Sequence, residues 1–391
     1  MSNMYIDHHV AQKIVDRAME IIGHNVNVMN HKAVIVGSGD QQRIDQLHEG
    51  ALQVIRAGTE IAFTKYQAEG MSGVQSGINI PITNEGKLIG VVGITGEPEQ
   101  IKKYASLVVM TAELIIEQAM LAAQIRWDRR LQESIIVRLI EGGWSNDSLF
   151  NDRVERMKID LNVPRVVLIV DLRSIHNNQD IALTSMQNIL KLLEKRESES
   201  LLAILSPTQI VILQRIFIHS DVWDYTSSLE QLNAYQKQLL KEPSIKFNIS
   251  MGQYFPGIDG IAESYKSASR AIEVGKLSHP NKTLFSAREL ILDLILKESL
   301  DSWRGSQLLN DYKKLQSKDT QGTLQKTLQT YFAENTDFAA TAEKLHIHRN
   351  TLRYRLDRIN EILGIDLKNL QDLFRLYMAT RLSEWDKDQI H

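Results

Sequence analysis

The sequence has no cysteine among its 391 residues. This absence excludes disulfide frameworks, cysteine-ligated zinc, iron–sulfur clusters and thiol nucleophiles. It is compatible with a reducing compartment.

Long hydrophobic runs are also missing. The longest strand-like runs, such as residues 166–170, fall far short of the ~18 apolar residues that a membrane-spanning helix needs. Residues 1–7 have neither a basic head nor an apolar core, so a secretory signal peptide is not expected. The sequence therefore predicts a cytoplasmic protein that does not cross a membrane.

An excess of charge of one sign is missing as well. The chain carries 45 basic and 48 acidic side chains, which gives a formal net charge of -3, and it is 43% hydrophobic. This composition is that of an ordinary globular protein and argues against one that coats nucleic acid. The length allows two to four domains, because single cores stop growing at roughly 250 to 300 residues.

Residues 1–125 predict a small domain of helices and antiparallel strands. Val10, Ile14 and Ala18 recur at helical spacing, and Gly23 ends that pattern. The remaining elements are predicted as a hairpin of residues 25–30 and 33–36, the loop Gly37-Ser38-Gly39-Asp40, a helix over residues 43–57, and a second hairpin of residues 78–82 and 88–95.

A long helix is predicted to follow from Pro98, continuing to the stop at Gly142-Gly143. Its apolar residues alternate steps of four and three, which is the spacing of a coiled coil; they are Ile101, Ala105, Val108, Ala112, Ile115, Ala119 and Ala122. Two interpretations stay open at this stage. The stripe either pairs with the same stripe of a second chain or packs on the sheet of its own domain.

The middle of the chain predicts an α+β layer structure. Strand-like runs occupy residues 165–172, 201–205, 209–213 and 245–252, and helices are predicted near residues 183–195 and 261–277. From residue 287 onward strand signals disappear and the pattern is helical.

Residues 337–364 predict a helix-turn-helix. Asp337 can cap a short helix, His346-Ile347-His348 interrupts it, and a second helix carries Leu352 and Leu356 in a stripe that must face a core. Between residues 344 and 358 five basic residues and one acidic residue give a net charge of +4. Arginine and asparagine can read base edges, and threonine, tyrosine and helix N-terminal amides can hold phosphates. The predicted DNA-binding residues are His348, Arg349, Asn350, Thr351, Arg353, Tyr354, Arg355 and Arg358.

Residues 335–366 resemble the C-terminal helix-turn-helix of the PucR and CdaR type of bacterial transcriptional regulators. Gly37-Ser38-Gly39-Asp40, His48-Glu49-Gly50-Ala51, Gly77-Ile78-Asn79-Ile80-Pro81 and residues 90–98 resemble the sugar diacid recognition domain of the carbohydrate diacid regulators. The resemblance implies a DNA-binding activator of genes for sugar diacid or glycerate metabolism, with a hydroxy acid such as glycerate, glucarate or galactarate as effector. Its implied partners are double-stranded operator DNA and a second copy of the chain.

The resemblance also implies a multidomain α+β fold. A PAS-like mixed α/β sensor domain is expected over residues 1–135, a degenerate GGDEF-like domain over 136–285, and an all-α domain over 286–391. Residues 206–210 read Ser-Pro-Thr-Gln-Ile where a nucleotide cyclase needs Gly-Gly and metal-binding carboxylates, and Asp171 alone cannot hold two metal ions. The middle domain is therefore predicted to be non-catalytic.

An acid with hydroxyl groups needs fixed donors for its carboxylates. Gly37, Ser38 and Gly39 are expected to expose successive backbone N–H groups, with the positive end of the following helix aimed at the same point. Arg43 and His48 are expected on that helix as charged donors. The complete predicted ligand set is Ser38, Gly39, Asp40, Arg43, His48, Glu49, Gly50, Asn79, Pro81, Gly93, Thr95 and Gly96. No metal and no cofactor is predicted, because the histidines lack compact ligand spacing with carboxylates.

Two other functions compete with this one. A nucleotide cyclase or hydrolase is disfavoured because the signature hairpin, a Gly-x-Ser-x-Gly elbow and a Walker loop are all missing from the sequence. The second alternative keeps the regulator but gives it another effector, such as a purine catabolite.

Overall fold

The computed structural model describes residues 6–143, 147–173, 186, 188–190, 192–193, 200–241, 246–300 and 302–386. The chain divides into two compact units, residues 1–130 and residues 131–391. Each unit combines helices with a β-sheet, so the predicted multidomain α+β class is confirmed.

The first unit is built on a five-stranded antiparallel sheet in the order β2-β1-β5-β4-β3. The strands are β1 (Val26–Asn30), β2 (Ile35–Ser38), β3 (Ile61–Phe63), β4 (Gly77–Asn84) and β5 (Lys87–Thr95). Both predicted hairpins are confirmed, since β1 pairs with β2 and β4 pairs with β5. In the second turn Glu85 and Gly86 have φ of 50° and 76°, and such turns match the natural twist of the strands.

Helices cover both faces of this sheet. On one face α1 (His8–Ile22) and the first part of α4 (Pro98–Glu141) share a buried core with the apolar strand residues. On the other face α2 (Glu49–Ala57) packs Ala51 and Val54 against Met29 and Val91. The short helix α3 (Lys65–Ala68) follows β3. The sheet therefore has an apolar face under α1 and α4 and a second face that is open to polar residues beside α2.

The predicted helix over residues 43–57 is wrong in its first half. Residues 41–43 form a single 3-10 turn, and Asp45 has a left-handed backbone with φ of 66°. The backbone N–H groups of Asp45 and His48 donate to the carbonyl oxygens of Ile35 and Ala33, so the segment is bonded alongside β2 instead of to itself. Helix α2 begins only at Glu49, with His48 as its N-cap.

The packing of α4 distinguishes between the two interpretations of its predicted apolar stripe. Ile101, Ala105, Val108 and Ala112 are buried against the sheet of their own domain, and Ile116 replaces Ile115 as the next buried residue. The helix ends at Glu141, before Gly142 and Gly143, which have φ of 79° and 74°. It also contains an 18-residue window with a mean hydropathy of 1.5, so by length and composition alone it qualifies as a membrane span. This apolar window was not predicted from the sequence, because that prediction rested only on uninterrupted apolar runs.

The second unit begins with an α+β layer. Its sheet has the order β12-β11-β6-β8-β7, in which only the pairing of β11 with β12 is parallel. The elements are α5 (Ser148–Arg156), β6 (Arg165–Arg173), β7 (Leu201–Ser206), β8 (Gln209–Arg215), β9 (Ile218–His219), β10 (Val222–Trp223), α6 (Tyr225–Leu239), β11 (Lys246–Met251), α7 (Gly260–Ser278) and β12 (Leu284–Ser286). Most of the predicted helix near residues 183–195 lies outside the described residues.

Six helices complete the second unit in the described part of the chain. They are α8 (Ile291–Leu300), α9 (Trp303–Lys318), α10 (Thr323–Ala333), α11 (Phe338–Lys344), α12 (Arg349–Leu363) and α13 (Leu370–Asp386). Leu315, Leu328, Leu352, Ile359 and Leu376 form the buried centre of this bundle. The predicted all-helical C-terminal region is confirmed.

Candidate functional site

A row of buried polar residues crosses the first sheet on the face beside α2. The strand register places Ser38 opposite Asn27, Asn27 opposite Gly93, and Gly93 opposite Asn79. Ser38, Asn27 and Asn79 are 1%, 2% and 4% exposed. The Ser38 hydroxyl donates to Asn27 Oδ1 over 2.6 Å. Because Gly93 has no side chain, the amide of Asn79 occupies the space above it.

The side-chain amide of Asn79 is the unusual member of this row. Among the described residues none forms a hydrogen bond with it, although the residue is buried. A Cβ atom on Gly93 would lie 2.5 Å from Asn79 Oδ1, and one on Gly50 would lie 2.8 Å from Asn79 Nδ2. The two glycines therefore make room for the amide. The amide atoms are not fully enclosed, so their donor and acceptor positions remain open to water or to a ligand.

Two basic side chains lie near this amide. A Cβ atom on Gly50 would lie 3.1 Å from His48 Cε1 as well as 2.8 Å from Asn79 Nδ2. The imidazole and the amide are therefore neighbours. Arg43 is 9% exposed, and burial lowers its pKa. Its guanidinium donates to the carbonyl oxygen of Gly73, and the nearby Asp40 carboxylate partly offsets the effect of burial on its pKa without forming an ion pair with it. A buried cation bonded to one neutral carbonyl is a natural partner for an anion.

His48 is held as a neutral imidazole of defined tautomer. Burial, and then the positive charge of Arg43, lower the pKa of His48 to about 4. Its Nδ1 accepts a hydrogen bond from the backbone N–H of Ala51 over 3.1 Å, which leaves the ring proton on Nε2. At neutral pH His48 can therefore donate one hydrogen bond from Nε2.

The segment of residues 70–76 lies beside these groups and is tied down at several points. The backbone N–H of Ser72 donates to Glu49 Oε2 over 3.0 Å, and the Ser76 hydroxyl donates to the carbonyl oxygen of Phe63 over 3.2 Å. At Gly73, with φ of 71°, a Cβ atom would lie 2.7 Å from the carbonyl oxygen of Leu47. The glycine thus permits the close approach that brings its carbonyl oxygen to Arg43.

The predicted anion-binding loop at Gly37-Ser38-Gly39 is wrong. The N–H of Ser38 donates to Gln12 Oε1 over 3.3 Å, and the N–H of Gly39 donates to the carbonyl oxygen of Val26 over 3.2 Å. Gly37 instead allows close packing, since a Cβ there would lie 2.7 Å from the Ala11 backbone in α1. Asp40 accepts from the N–H of Gln42 and caps the 3-10 turn.

Thr95 and Gly96 line a cavity that is separate from the group of Arg43, His48 and Asn79. They line an open cavity of about 390 Å³ beside α3, which none of Arg43, His48 and Asn79 lines. Its charged lining is Lys65, Glu69 and Glu97, a net negative set that does not favour a dicarboxylate. Pro81 lies on the same strand face as Asn79, two residues further along β4, opposite Val91. Of the predicted ligand residues, Arg43, His48, Gly50, Asn79 and Gly93 are the ones that come together.

Asn27 was not predicted as a site residue. It lies on the buried β1 strand, where residues 25–30 alternate polar and apolar, and that alternation in an otherwise apolar sheet was the available signal. Its partner across the sheet could not be read from the sequence, since the pairing with Gly93 joins strands far apart in the chain.

The predicted helix-turn-helix is present as α11 and α12. Asp337 Oδ1 accepts from the N–H of Ala340 over 2.8 Å and caps α11, and His348 caps α12 by accepting from the N–H of Asn350. Leu352, Leu356 and Ile359 are buried in the bundle. His346, in the turn, has a left-handed backbone with φ of 55°.

Most of the predicted DNA-binding side chains are exposed on α12 and its N-cap. They are His348, Arg349, Asn350, Thr351, Arg353, Tyr354 and Arg358. Tyr354 is 70% exposed, and Arg358 pairs with Glu361 one turn further along the helix. Arg355 differs from the prediction because it is half-buried and its Nη1 donates to Thr327 Oγ1 in α10 over 3.2 Å. Arg355 therefore links α12 to α10 and is not part of the exposed face.

The middle domain provides no catalytic cluster at the positions compared with cyclases. The segment of residues 206–210 forms the end of β7, a tight turn and the start of β8. Asp171 on β6 forms an ion pair with Lys276 of α7. The carboxylate that a cyclase would use for metal is therefore neutralised by a neighbouring ammonium group.

Comparison with known proteins supports the same interpretation. Residues 6–139 match the sugar diacid recognition family, residues 141–274 the GGDEF-like domain, and residues 324–382 the PucR C-terminal helix-turn-helix domain. A protein of Haemophilus influenzae with no assigned function is 38% identical over 97% of this chain and 100% of its own length. The purine catabolism regulatory protein of Bacillus subtilis is 24% identical over 78% of this chain and 58% of its own length.

The carbohydrate diacid regulator of Escherichia coli (strain K12) is 37% identical to this chain over 384 residues. The match covers 98% of this chain and 100% of the relative. Together with the diacid recognition and helix-turn-helix matches, this similarity extends over both units. The chain therefore belongs to the carbohydrate diacid regulators, a family of transcriptional regulators with a PucR-type helix-turn-helix, and it is not an enzyme.

Proposed function

We propose that this regulator senses a small hydroxy acid, of the class of glycerate, glucarate or galactarate, and that the acid binds between the sheet and α2 in the first unit. The observation that carries the proposal is Arg43, a buried guanidinium whose only hydrogen-bond acceptor among the described residues is the carbonyl oxygen of Gly73. A carboxylate would replace this neutral acceptor with a charged one and could bind the guanidinium through two hydrogen bonds.

The groups around Arg43 suit the rest of such a ligand. The His48 Nε2–H is a donor for the same carboxylate. The unpaired amide of Asn79 offers both a donor and an acceptor, which is the pair that a hydroxyl group requires. Gly93 provides the space above the sheet in which this amide lies. In this arrangement the cation binds the acid group, and the polar row distinguishes the hydroxyls.

The same resemblance supports a proposal for the effector class and for the genes that the protein regulates. The printed name of the Escherichia coli relative refers to carbohydrate diacids, and this supports the same effector class for the present chain. We propose that the protein acts as an activator of genes for sugar diacid or glycerate metabolism. Because it must reach the chromosome, we place it in the cytoplasm.

DNA binding is assigned to the exposed face of α12. We propose that Arg349, Arg353 and Arg358 bind phosphates or guanine edges, that Asn350 contacts bases, and that His348, Thr351 and Tyr354 contact the backbone. Paired half-sites on an operator call for two copies of the helix-turn-helix, so the protein is proposed to act as a homodimer.

Calorimetric titration of the full chain tests the effector. Glycerate, glucarate and galactarate are titrated separately, and glucose serves as a neutral polyol that lacks the carboxylate. At least one of the three acids should bind and raise the thermal midpoint, while glucose should do neither. If none of the three acids binds, the proposed effector class is wrong.

A second candidate is the same regulator with a purine catabolite as effector. The similarity to the purine catabolism regulatory protein of Bacillus subtilis favours it, and that similarity covers 78% of the present chain. Adding a purine base and its ring-opened acid to the same titration separates the two. Heat from these compounds, together with none from the hydroxy acids, would favour the second candidate.

A further inference from the structure

Helix α4 carries a second apolar stripe that faces away from the sheet. The stripe consists of Leu107, Met110, Leu114, Leu121 and Ile125, which are 38%, 53%, 53%, 58% and 59% exposed. The buried residues Ile101, Ala105, Val108 and Ala112 occupy nearly the opposite side of the helix, since successive residues turn by about 100°. This exposed stripe is therefore separate from the contact that fixes α4 on its own domain.

The exposed stripe has the spacing of a two-stranded parallel coiled coil. Leu107, Leu114 and Leu121 recur every seven residues, and Thr111, Gln118 and Ile125 recur every seven residues between them. Parallel dimers favour leucine at the first of these positions and β-branched residues at the second, with a single polar residue that fixes the register. Thr111 and Gln118 are the two polar residues in this pattern, and Thr111 is also β-branched. No charged residue occupies the six positions.

The helix also needs a partner for stability along part of its length. From residue 117 to residue 130 most side chains are exposed on all sides of the helix, including Met120, Leu121, Ile125 and Trp127. Isolated helices shorter than about 12 to 15 residues are marginal in water, because most helical stability in proteins comes from packing. A stretch of this length with an apolar stripe is therefore stabilised by burying that stripe.

The apolar area fits an interface between two chains. From the exposed fractions, the five side chains expose apolar surface on the order of 400 Å². Homodimer interfaces are roughly 65% apolar, so this area corresponds to an interface of about 600 Å² per chain. This total already includes the polar residues beside the stripe, and it lies at the lower end of the range of about 600 to 1,000 Å² per chain that specific interfaces bury.

We propose that the exposed stripe of α4 pairs with the same stripe of a second copy, parallel and in register, so that Leu107, Leu114 and Leu121 each meet their own counterpart. This inference rests on the proposed homodimer and assigns its surface. A membrane is the competing occupant, because the same helix contains the 18-residue apolar window. Glu113 accepts hydrogen bonds from Thr83 on β4, and Glu117 is exposed beside the seam, where pairing in water leaves its carboxylate solvated.

Single cysteines test the surface directly, because the natural chain has none. The full-length variants Leu107→Cys, Leu114→Cys and Met120→Cys are oxidised with copper phenanthroline and separated by non-reducing electrophoresis. Met120 is exposed on the same helix but lies outside the seam, so it is the matched control. We expect more than half of Leu107→Cys and Leu114→Cys to form disulfide-linked dimers, and less than a tenth of Met120→Cys.

The same variants test the direction of pairing. An equal mixture of Leu107→Cys and Leu121→Cys should give linked homodimers only, because the two cysteines of a mixed parallel dimer are fourteen residues, or about 21 Å, apart. If Leu107→Cys alone fails to link and the mixture links efficiently, the chains are antiparallel and the proposed register is wrong. Linking of Met120→Cys as efficient as that of Leu114→Cys would also overturn the assignment.

Sedimentation of the unlabelled proteins separates this inference from the proposed homodimer. The natural chain should be a dimer at micromolar concentration, and Leu114→Lys/Leu121→Lys should be a monomer that still unfolds cooperatively on heating. A monomeric natural chain overturns both proposals, whereas a dimer without seam disulfides overturns the stripe alone. Flotation with phosphatidylcholine and phosphatidylglycerol vesicles that requires Leu114 and Leu121 would assign the stripe to a membrane and overturn the pairing.

Discussion

The guanidinium of Arg43 donates a hydrogen bond to the backbone carbonyl oxygen of Gly73, thirty residues further along the chain. This contact ties the segment of residues 70–76 to the only described cation beside the polar row of the sheet. A carboxylate that binds Arg43 competes with Gly73, so binding would release this segment or reposition it. On the other face of the sheet lies α4, and this is the route by which we propose that the effector reaches the rest of the chain.

Replacing Arg43 with methionine should abolish effector binding without unfolding the protein. The loss of one member of a buried charged pair costs about 2 to 5 kcal/mol, so the affinity for the acid should fall by about 30-fold or more. The unliganded protein should keep its thermal midpoint, because the buried cation has only one neutral acceptor. Calorimetry and thermal melting measure the two effects.

The matched control for Arg43 is Arg17→Met. Arg17 is an exposed cation on α1 that pairs with Glu20, and its loss should change neither quantity. Arg43→Lys should bind the acid weakly, because an ammonium group cannot form the bidentate contact. An Arg43→Met protein that binds the acid as well as the natural one would remove Arg43 from the site.

His48 should make the stability of the protein depend on pH between about 4 and 6.5. Its folded pKa is about 4, whereas the unfolded value is about 6.5. The unfolded chain therefore binds more protons in this window, so stability is complete above the unfolded pKa and is lost as the pH falls towards the folded pKa. The free energy of unfolding should drop by up to about 3 kcal/mol, as measured by urea titration at several pH values.

His48→Asn isolates this effect. Asparagine keeps an acceptor for the N–H of Ala51 at the start of α2, so the cap is preserved while the titrating group is lost. The variant should show a flatter dependence of stability on pH.

A bound acid should raise the pKa of His48 in the natural protein, because its negative charge favours the protonated imidazole. The affinity for the acid should therefore increase as the pH falls from 7 towards 5.

Arg358 and Arg355 should differ in their effect on DNA binding, although both are cations on α12. Arg358→Ala should lower the slope of log affinity against log salt by about 0.9, the value for one phosphate contact. Arg355→Ala should leave the slope unchanged and lower the free energy of unfolding by about 1 kcal/mol, since it breaks the hydrogen bond to Thr327. Fluorescence anisotropy with an operator selected from random duplexes measures the slope.

Lys318→Ala provides the baseline for these slopes. Lys318 is exposed at the end of α9 and lies outside the helix-turn-helix. An unchanged slope in Arg358→Ala, equal to that of Lys318→Ala, would remove Arg358 from the DNA contacts.

Thr336→Gly should stabilise the C-terminal bundle. Thr336 precedes the cap Asp337 and has φ of 61°, a left-handed conformation that is strained for a β-branched residue. Glycine adopts it without a steric penalty, so the gain should be about 1 kcal/mol. Thr330→Gly, inside α10, should instead destabilise by about 0.3 to 0.5 kcal/mol, because glycine is a weaker helix former than threonine. Thermal unfolding of both variants tests the contrast, and equal signs would contradict it.

The sequence was informative where a pattern is local. The cap at Asp337, the apolar stripe of α12 and the hairpin turn at Glu85-Gly86 all depend on neighbours a few residues away, and each is confirmed. The sequence misled where distant residues decide. Ser38 and Gly39 have suitable N–H groups for an anion, but Gln12 and the Val26 carbonyl bind them.

Helix α2 illustrates the same limit. Residues 43–48 have helical periodicity, yet β2 offers backbone hydrogen bonds that compete with the helix. Arg43 and His48 nevertheless lie close together in the folded chain, but not on one helix as predicted; their assignment to a ligand site stays a prediction. They meet because an extended segment runs beside the sheet, and the row that contains Asn27 forms through a strand pairing that only the folded chain reveals.

Selectivity against common aliphatic acids follows from the amide of Asn79 in the proposed site. The amide reaches solvent in the unliganded protein, and an acid without hydroxyl groups would bind Arg43 and cover this amide without pairing with it. Sites built to pair with a hydroxyl reject analogues that lack it by factors of about 10⁴ to 10⁵. Succinate and acetate, which share the carboxylate, would therefore be ignored at cellular concentrations. The regulator would need no steric barrier to remain silent during ordinary carbon metabolism.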